Sequence, residues 1–294
     1  MTGETAVVTG AGGQLGRQLV TAFRAAKYDV VALERASLDI SDPDAADRLV
    51  AHRPHIVVNA AAWTDVDSCA RDPERAMQLN GAAPAQLARA AAEAGALFVQ
   101  ISTNEVFDGQ ALRPYAEDAP TAPINPYAAS KLAGERAVAT AGGTYLIVRT
   151  AWIFGPGGTN FATRIWQAAL RARSRGEALR VVADELGNPT WAPDLAQRIV
   201  AAVVRGVRGV LHLAGEPPAS RFEWAQVILR DMPGLELTAI SQSEYQRASP
   251  VPPRAVLDMG RARAAGLEPM DWRPATAAYA AELRQATGAG AGAS

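Results

Sequence analysis

The sequence predicts an α/β fold, a doubly wound parallel sheet followed by a smaller C-terminal domain. Three observations predict it. Short, nearly continuous apolar runs alternate with alanine-rich segments of helix length up to about residue 155. A glycine-rich turn joins the first apolar run to the first helix, and beyond residue 155 the alternation loosens into proline-bearing turns. Strands that are apolar on both faces belong in a sheet covered by helices on both sides.

AVVTG (6–10) reads as a buried strand, and 14–26 carries helical spacing on Leu15, Leu19, Val20 and Phe23. DVVALE (29–34) is the second strand. The helix over 42–53 opens with Asp42 as N-cap and Pro43 at the first helical position. HIVVNAAA (55–62) is the third strand, and 72–95 repeats the Asp-Pro opening and runs helical. LFVQIST (97–103) and TYLIVRTAWIFG (144–155) are further strands, with a helix over 126–141 between them. Helices over 160–175 and 192–205 flank a strand at 179–184, and GVLHLAG (209–215) returns to the main sheet. One or two helices follow among turns such as EPPAS and SPVPPRAV. This organisation places a nucleotide-binding domain at 1–155, a substrate-binding domain mainly at 156–287, and a disordered tail at 288–294 (GAGAGAS).

A formal net charge of −1 over 294 residues gives no reason to expect nucleic acid or an anionic membrane as a partner. The single cysteine, Cys69, leaves no internal disulfide and fits a reducing compartment. No apolar run approaches the roughly 20 residues of a membrane helix, and the N-terminus has no basic leader pattern. These readings predict a cytoplasmic protein. His52, His55 and His212 lack metal-ligand spacing, so no metal site is expected; His212 reads as a core histidine.

TGAGGQLG (9–16) spaces Gly10, Gly13 and Gly16 three apart between a strand and a helix. Such a Rossmann-type turn, here Gly10, Gly12, Gly13, Gln14, Leu15 and Gly16, lets a pyrophosphate approach the backbone and the helix N-terminus. The second strand ends in Glu34 and Arg35. Glu34 could bond ribose hydroxyls, favouring NADH, and Arg35 could pair with a 2′-phosphate, favouring NADPH; both readings stand. Asp39 and Ile40 fall near the adenine, and Asn59, Ala60, Ala61 and Ala62 close the third strand with small residues that leave room for the cofactor.

Tyr127 and Lys131 form Y-A-A-S-K, four apart on one helix face. Carbonyl reduction needs a hydride donor and a proton for the oxygen. A tyrosine titrating near ~10 is a poor proton exchanger at neutral pH, and a nearby ammonium is expected to lower that value. Lys131 can also hold the nicotinamide ribose, and Thr103, at the end of the fourth strand, offers a hydroxyl to the carbonyl.

TGAGGQLG, NAAAWTDVD, ISTNEVF, YAASKLAGE, RTAWIFG and GNPTWAPDLA occur in the order seen in extended short-chain dehydrogenases. More narrowly, the chain resembles the dTDP-4-dehydrorhamnose reductase family from near its start to about residue 215. That resemblance implies reduction of a nucleotide-linked 4-keto-6-deoxy sugar by NADPH or NADH, with dTDP-L-rhamnose as the family's product. It implies Thr103, Tyr127 and Lys131 as catalytic residues. Thr64, Asn104, Glu105, Trp152, Asn160 and Phe161 fall at substrate or nearby pocket positions. A homodimer is compatible with the family, although Gln18 stands where some members carry a glutamate implicated in a magnesium-linked dimer. Arg221 and Arg254 are candidate diphosphate contacts that otherwise read as surface arginines.

One departure keeps a second activity open. The reductases usually read S-T-D-Y-V-F where this chain has Ser102-Thr103-Asn104-Glu105-Val106-Phe107. Related sugar-nucleotide 4,6-dehydratases carry Asp-Glu at the two middle places, so Glu105 occupies their base position while Asn104 lacks the acid. Dehydratase or epimerase chemistry through Glu105 is therefore an alternative. A second alternative is a non-catalytic cofactor-binding subunit, like the regulatory subunit of methionine adenosyltransferase; the intact Thr103–Tyr127–Lys131 set argues against it.

Overall fold

The computed structural model describes residues 3–288, so the predicted tail beyond Gly288 lies outside the described residues. In chain order the elements are β1 (Thr5–Thr9), α1 (Gln14–Ala25), β2 (Asp29–Leu33), α2 (Ala45–Val50), β3 (Ile56–Asn59), α3 (Val66–Arg71), α4 (Pro73–Met77) and α5 (Ala83–Glu93). They continue with β4 (Leu97–Thr103), α6 (Pro126–Ala139), β5 (Tyr145–Thr150), β6 (Ile153–Phe154), α7 (Phe161–Arg175), β7 (Leu179–Val182), β8 (Leu186–Gly187), β9 (Thr190–Trp191) and α8 (Ala192–Val204). The last are β10 (Gly209–His212), β11 (Ala219–Ser220), α9 (Arg221–Leu229), β12 (Leu237–Ile240), α10 (Gly260–Ala264) and α11 (Trp272–Ala286).

Six strands form the main sheet in the order β10-β5-β4-β3-β1-β2, with every pairing parallel. The period of two in a strand explains why these runs had to be apolar throughout. Ala6 and Val8 face a core layer shared with Leu19, Phe23 and Ile199 of α1 and α8. Val7, between them, faces the opposite layer with Leu49, Leu87 and Val138 of α2, α5 and α6. A third core, with Phe154, Trp166, Trp224, Trp272 and Tyr279, joins α7, α9 and α11.

Several boundaries differ from the sequence expectation. The second helix begins two residues later than predicted, with Asp44 rather than Asp42 at its N-cap, because the Asp42 amide donates to the Asp39 carbonyl and the Ala45 amide to the Asp42 carbonyl, closing two turns first. The 72–95 segment is not one helix. Asp72 caps α4 through the Arg75 amide, and Gln78–Ala82 then widens into a π-helical turn before α5. That widening brings the buried Asn80 against Trp63 and Ser130. The third strand stops at Asn59, and the 144–155 run divides into β5 and β6 with Trp152 between them at φ +43°. The short helix α3 was not anticipated. The 209–215 run joins the sheet edge beside β5 as expected, although only Gly209–His212 pair.

Candidate active site

The parallel topology gathers the C-terminal ends of the strands along one edge of the sheet, where open α/β sheets take their ligands. At β1 the chain turns through Gly10, whose φ of +66° and nearness to β3 require glycine: a Cβ there would lie 2.6 Å from the Ala61 nitrogen. Gly16 meets the same constraint one helical turn later, since a Cβ would lie 2.0 Å from the Gly10 carbonyl oxygen. Gly16 therefore packs beneath the loop rather than lining it. Helix α1 has no acidic residue in its own first turn, which leaves its N-terminal dipole uncompensated from within the helix. Gln14 lines the cleft at that end, its Nε2 buried and without a partner.

A cavity of about 390 Å³ lies beside this loop, lined by Gly10, Gly12 and Gly13 together with Glu34, Arg35, Asp39, Ile40 and Ala60–Ala62. Glu34 leans over Gly12, while Arg35 is drawn to Asp39 at 3.2 Å. Hydrogen bonds from Ser41 and this arginine hold the Asp39 carboxyl below its usual range. Trp63, Arg75 and Leu79 complete the wall. Nothing in the sequence singled them out, because they reach the cavity only through the turn after β3 and the α4–π segment. Asn59 is corrected: it is fully buried, accepting from Thr9 Oγ1 at 2.6 Å and donating to Gln100 Oε1 at 2.9 Å. Its amide is spent tying three strands together and does not face the cavity.

A larger cleft of about 1200 Å³ runs from Gly13, Gln14 and Leu15 past Thr103, Asn104, Glu105, Tyr127 and Lys131 to Thr64, Trp152, Asn160 and Phe161. Helix α6 projects Tyr127 and Lys131 onto one face by their spacing, and Asn125 fixes its start by accepting the Ala128 amide at 2.7 Å. Tyr127, Lys131 and Thr103 are all buried. Lys131 Nζ donates to the Ile101 carbonyl at 2.6 Å, and burial pulls its pKa down to about 8 against the opposing pull of Glu135.

The tyrosine departs from expectation. Its phenol is pushed well above the ordinary value, first by burial and then by the Glu105 carboxylate, with a hydrogen bond to Thr103 working the other way. Lys131 is not among the groups that move it: the ammonium is engaged by the Ile101 carbonyl and Glu135. Glu105 itself is raised, chiefly by burial, while Asn125 Nδ2 donates to its Oε2 at 2.8 Å.

Three resemblance-derived positions prove to have local tasks. Asn104 donates through Nδ2 to the Ala255 carbonyl at 2.9 Å and so fastens the strand end to the C-terminal segment. Asn160 caps α7 in a reciprocal box with Thr163 and also donates to the Gly155 carbonyl. Phe161 stacks on Trp224 with ring centres 4.8 Å apart. Thr64 is exposed on the opposite wall.

Arg221 is not a surface arginine. Its guanidinium lies 3.6 Å over the Trp152 ring and donates through Nε to Glu185 at 2.9 Å. Glu185, only 3% exposed, also accepts from Arg247 at 2.7 Å. Arg221 and Arg247 line the cleft, whereas Arg254 does not. Sequence reasoning missed Glu185 and Arg247, which lie 36 and 26 residues from Arg221. His212 is fully buried as expected, its Nδ1 3.3 Å from the Asp258 carbonyl oxygen. Among the described residues, no helix is long and apolar enough to cross a membrane.

Residues 4–285 match the family model described as the RmlD substrate binding domain. The chain belongs to that family. A Streptomyces antibioticus protein described as a probable dTDP-4,6-dihydroxy-2-methyloxan-3-one 4-ketoreductase is 41% identical over 278 residues, 92% of each chain. The dTDP-4-dehydrorhamnose reductase of Streptomyces griseus is 39% identical over 92% of this chain and 90% of its own. Among solved structures, a dTDP-4-dehydrorhamnose reductase from Bacillus anthracis in complex with NADP matches at TM-score 0.88 and 32% identity, covering 96% of this chain and all of that one. A dTDP-glucose 4,6-dehydratase from Streptomyces venezuelae matches at TM-score 0.78 but only 21% identity, a likeness of fold alone.

Proposed function

We propose that this protein is an NAD(P)H-dependent oxidoreductase that reduces the 4-keto group of a nucleotide-linked 6-deoxy sugar, with dTDP-4-dehydro-L-rhamnose going to dTDP-L-rhamnose. The observation that carries this reading is the buried Thr103–Tyr127–Lys131 set opening onto a cleft that is continuous with the glycine loop. Reductases of this substrate class at close to 40% identity over nine-tenths of the chain support it.

The residues present fit a nicotinamide dinucleotide. Gly10, Gly12 and Gly13 line the cavity at a helix N-terminus without side chains, and Gln14, whose buried Nε2 has no hydrogen-bond partner, lines the adjoining cleft. When bound, the reduced nicotinamide supplies the hydride that goes to C4. Tyr127 gives its phenolic proton to the carbonyl oxygen, Thr103 donates a hydrogen bond to the same oxygen, and Lys131 supplies positive charge beside the phenolate that is left. Burial raises the phenol and so opposes this transfer, while the Thr103 hydroxyl works in its favour. Residues 1–155 with the 209–215 strand bind the cofactor in this reading, and 156–287 bind the sugar nucleotide. Arg221 and Arg247, paired with Glu185, are the cleft cations we assign to its diphosphate, with Arg164 and Arg171 on the same lining. The same reading puts the protein in the cytoplasm, as a homodimer.

Tyr127→Phe tests the assignment. Turnover of dTDP-4-dehydro-L-rhamnose, followed by loss of nicotinamide absorbance, should fall at least about a hundredfold, within the range general-acid catalysis contributes. Cofactor binding should persist. Full turnover in the variant would remove Tyr127 from its role.

A further inference from the structure

Helix α6 carries a third buried polar residue on the stripe that holds Tyr127 and Lys131. Glu135 lies four residues beyond Lys131 and eight beyond Tyr127, and it is 3% exposed. The stripe packs against the C-terminal end of β4. Lys131 Nζ donates to the Ile101 carbonyl, and Glu135 accepts from Ser102 Oγ, while Tyr127 and Thr103 line the same cleft. Arg149, paired directly opposite Ser102 on β5, closes the arrangement. Its Nε lies 3.0 Å from Glu135 Oε1 and its Nη2 lies 2.7 Å from Oε2, while Nη1 donates to the Glu117 carbonyl at 3.1 Å. The two side chains are 6% and 4% exposed. Hydrophobic packing alone has no use for a bidentate ion pair in this position, since apolar residues of similar volume commonly serve as well or better.

We propose that Glu135, fixed by Ser102 and Arg149, is a positioning residue that keeps the Lys131 ammonium charged and seated against the Ile101 carbonyl. The proposal rests on the roles assigned above to Tyr127 and Lys131. The other titratable side chains around Lys131 are Cys69 of α3, Glu105 after β4, Tyr127 and Glu135 of α6, Arg149 of β5, and His212 of β10, paired opposite Arg149. Among them Glu135 is the group whose charge opposes the burial of Lys131. Arg149 has the complementary task of holding the Glu135 carboxylate in one geometry, so that its negative charge stays at a fixed distance from the lysine. Two adjacent strand positions, Ile101 and Ser102, thus each anchor one residue of the α6 stripe.

The test is the pH dependence of turnover in Glu135→Gln, compared with wild type and with Glu135→Asp, which restores the charge. The wild-type alkaline limb should follow Lys131, whose pKa is about 8. In Glu135→Gln that limb should move to lower pH. A displacement of about one unit reduces the variant-to-wild-type activity ratio about fivefold between roughly pH 6 and pH 8. Glu135→Asp should return the limb toward its wild-type position. Because Glu135→Gln leaves Arg149 buried without its partner, the double variant Glu135→Gln/Arg149→Gln supplies a neutral, hydrogen-bonding pair, and the same acid-ward movement is expected there.

A folded single or double variant with reduced turnover but an unmoved alkaline limb would overturn the proposal and leave Glu135 a purely structural group. Failure of both to fold, with Glu135→Asp folded but its limb unlike wild type, would overturn it equally. If Tyr127→Phe retained full turnover, the underlying assignment would fall instead, so the two failures are distinguishable.

Discussion

Removing Glu185 should destabilise the protein more than removing any exposed carboxylate. Its side chain is 3% exposed and accepts from Arg221 Nε at 2.9 Å and Arg247 Nη2 at 2.7 Å, while its backbone carbonyl accepts the Arg221 amide. In Glu185→Ala both guanidiniums lose their bonded carboxylate, and Arg221 stays stacked on Trp152 with Glu105 as a remaining, more distant negative charge. Breaking a buried pair from one side costs about 3–5 kcal/mol. An unfolding entropy of about 2.1 cal/mol/K per residue gives about 0.6 kcal/mol/K for a chain of 294 residues, so Tm should drop by about 5–8 °C. Circular dichroism melts of wild type, Glu185→Ala and Glu185→Gln measure this, and the amide, which can still accept one hydrogen bond, should fall between the other two. A drop of less than about 2 °C in Glu185→Ala would show that the arginines find solvent or other acceptors, and that their bonds to Glu185 add little to stability.

Two further outcomes bear on the cofactor and on Glu105. Glu34→Ala should raise the preference for NADPH over NADH, since the carboxylate beside Gly12 repels a 2′-phosphate; an interaction of about 1 kcal/mol between charges about 4 Å apart in water corresponds to roughly fivefold, read as the ratio of kcat/KM values. An unchanged ratio would exclude Glu34 from cofactor choice. Glu105→Gln should retain keto-sugar reduction within about tenfold, and wild type turning over in D2O should give product without deuterium at C3 or C5. Exchange at C5 that disappears in Glu105→Gln would establish the dehydratase-like base instead.

The parts of this site that were legible in the sequence are those in which one local segment does the whole task. The strand–GAGGQLG–helix turn needs glycine for reasons of backbone approach that hold wherever such a turn occurs, and Y-A-A-S-K fixes two side chains on one helix face by geometry alone. Asn59 was misread because a buried amide joining Thr9 to Gln100 has the same sequence context as one facing a ligand. Asp42 and Asp44 are equally good caps on paper; the turns at residues 42–45 decide between them. Arg221, Arg247 and Glu185 come from three segments that meet only in the folded chain, and no periodicity announces an ion pair across such distances. The π turn at Gln78–Ala82 was hidden by alanine-rich composition, which suits a regular helix just as well.

The direction of the tyrosine shift links the unusual Glu105 to the proposed chemistry. A lysine close enough to dominate Tyr127 would favour phenolate, the form that takes a proton from an alcohol. Here burial and a carboxylate dominate, so in the empty cleft the phenol is a weaker acid than a free tyrosine, and transfer of its proton to a developing alkoxide depends on what bound ligands change. The same two influences make the phenolate costly once the proton has left, which drives the search for a replacement proton and places weight on the Lys131 charge beside it. Glu105 is not an isolated anion in this arrangement. Its carboxyl is raised by burial and by Glu185, and lowered by Asn125, Arg221 and Arg247, so its charge is coupled to the cations that line the far wall of the cleft. A diphosphate bound by Arg221 and Arg247 would withdraw part of that positive influence and push Glu105 further toward its protonated form. Relieved of a negative neighbour, Tyr127 would then surrender its proton more easily when the sugar nucleotide is in place than when the cleft is empty.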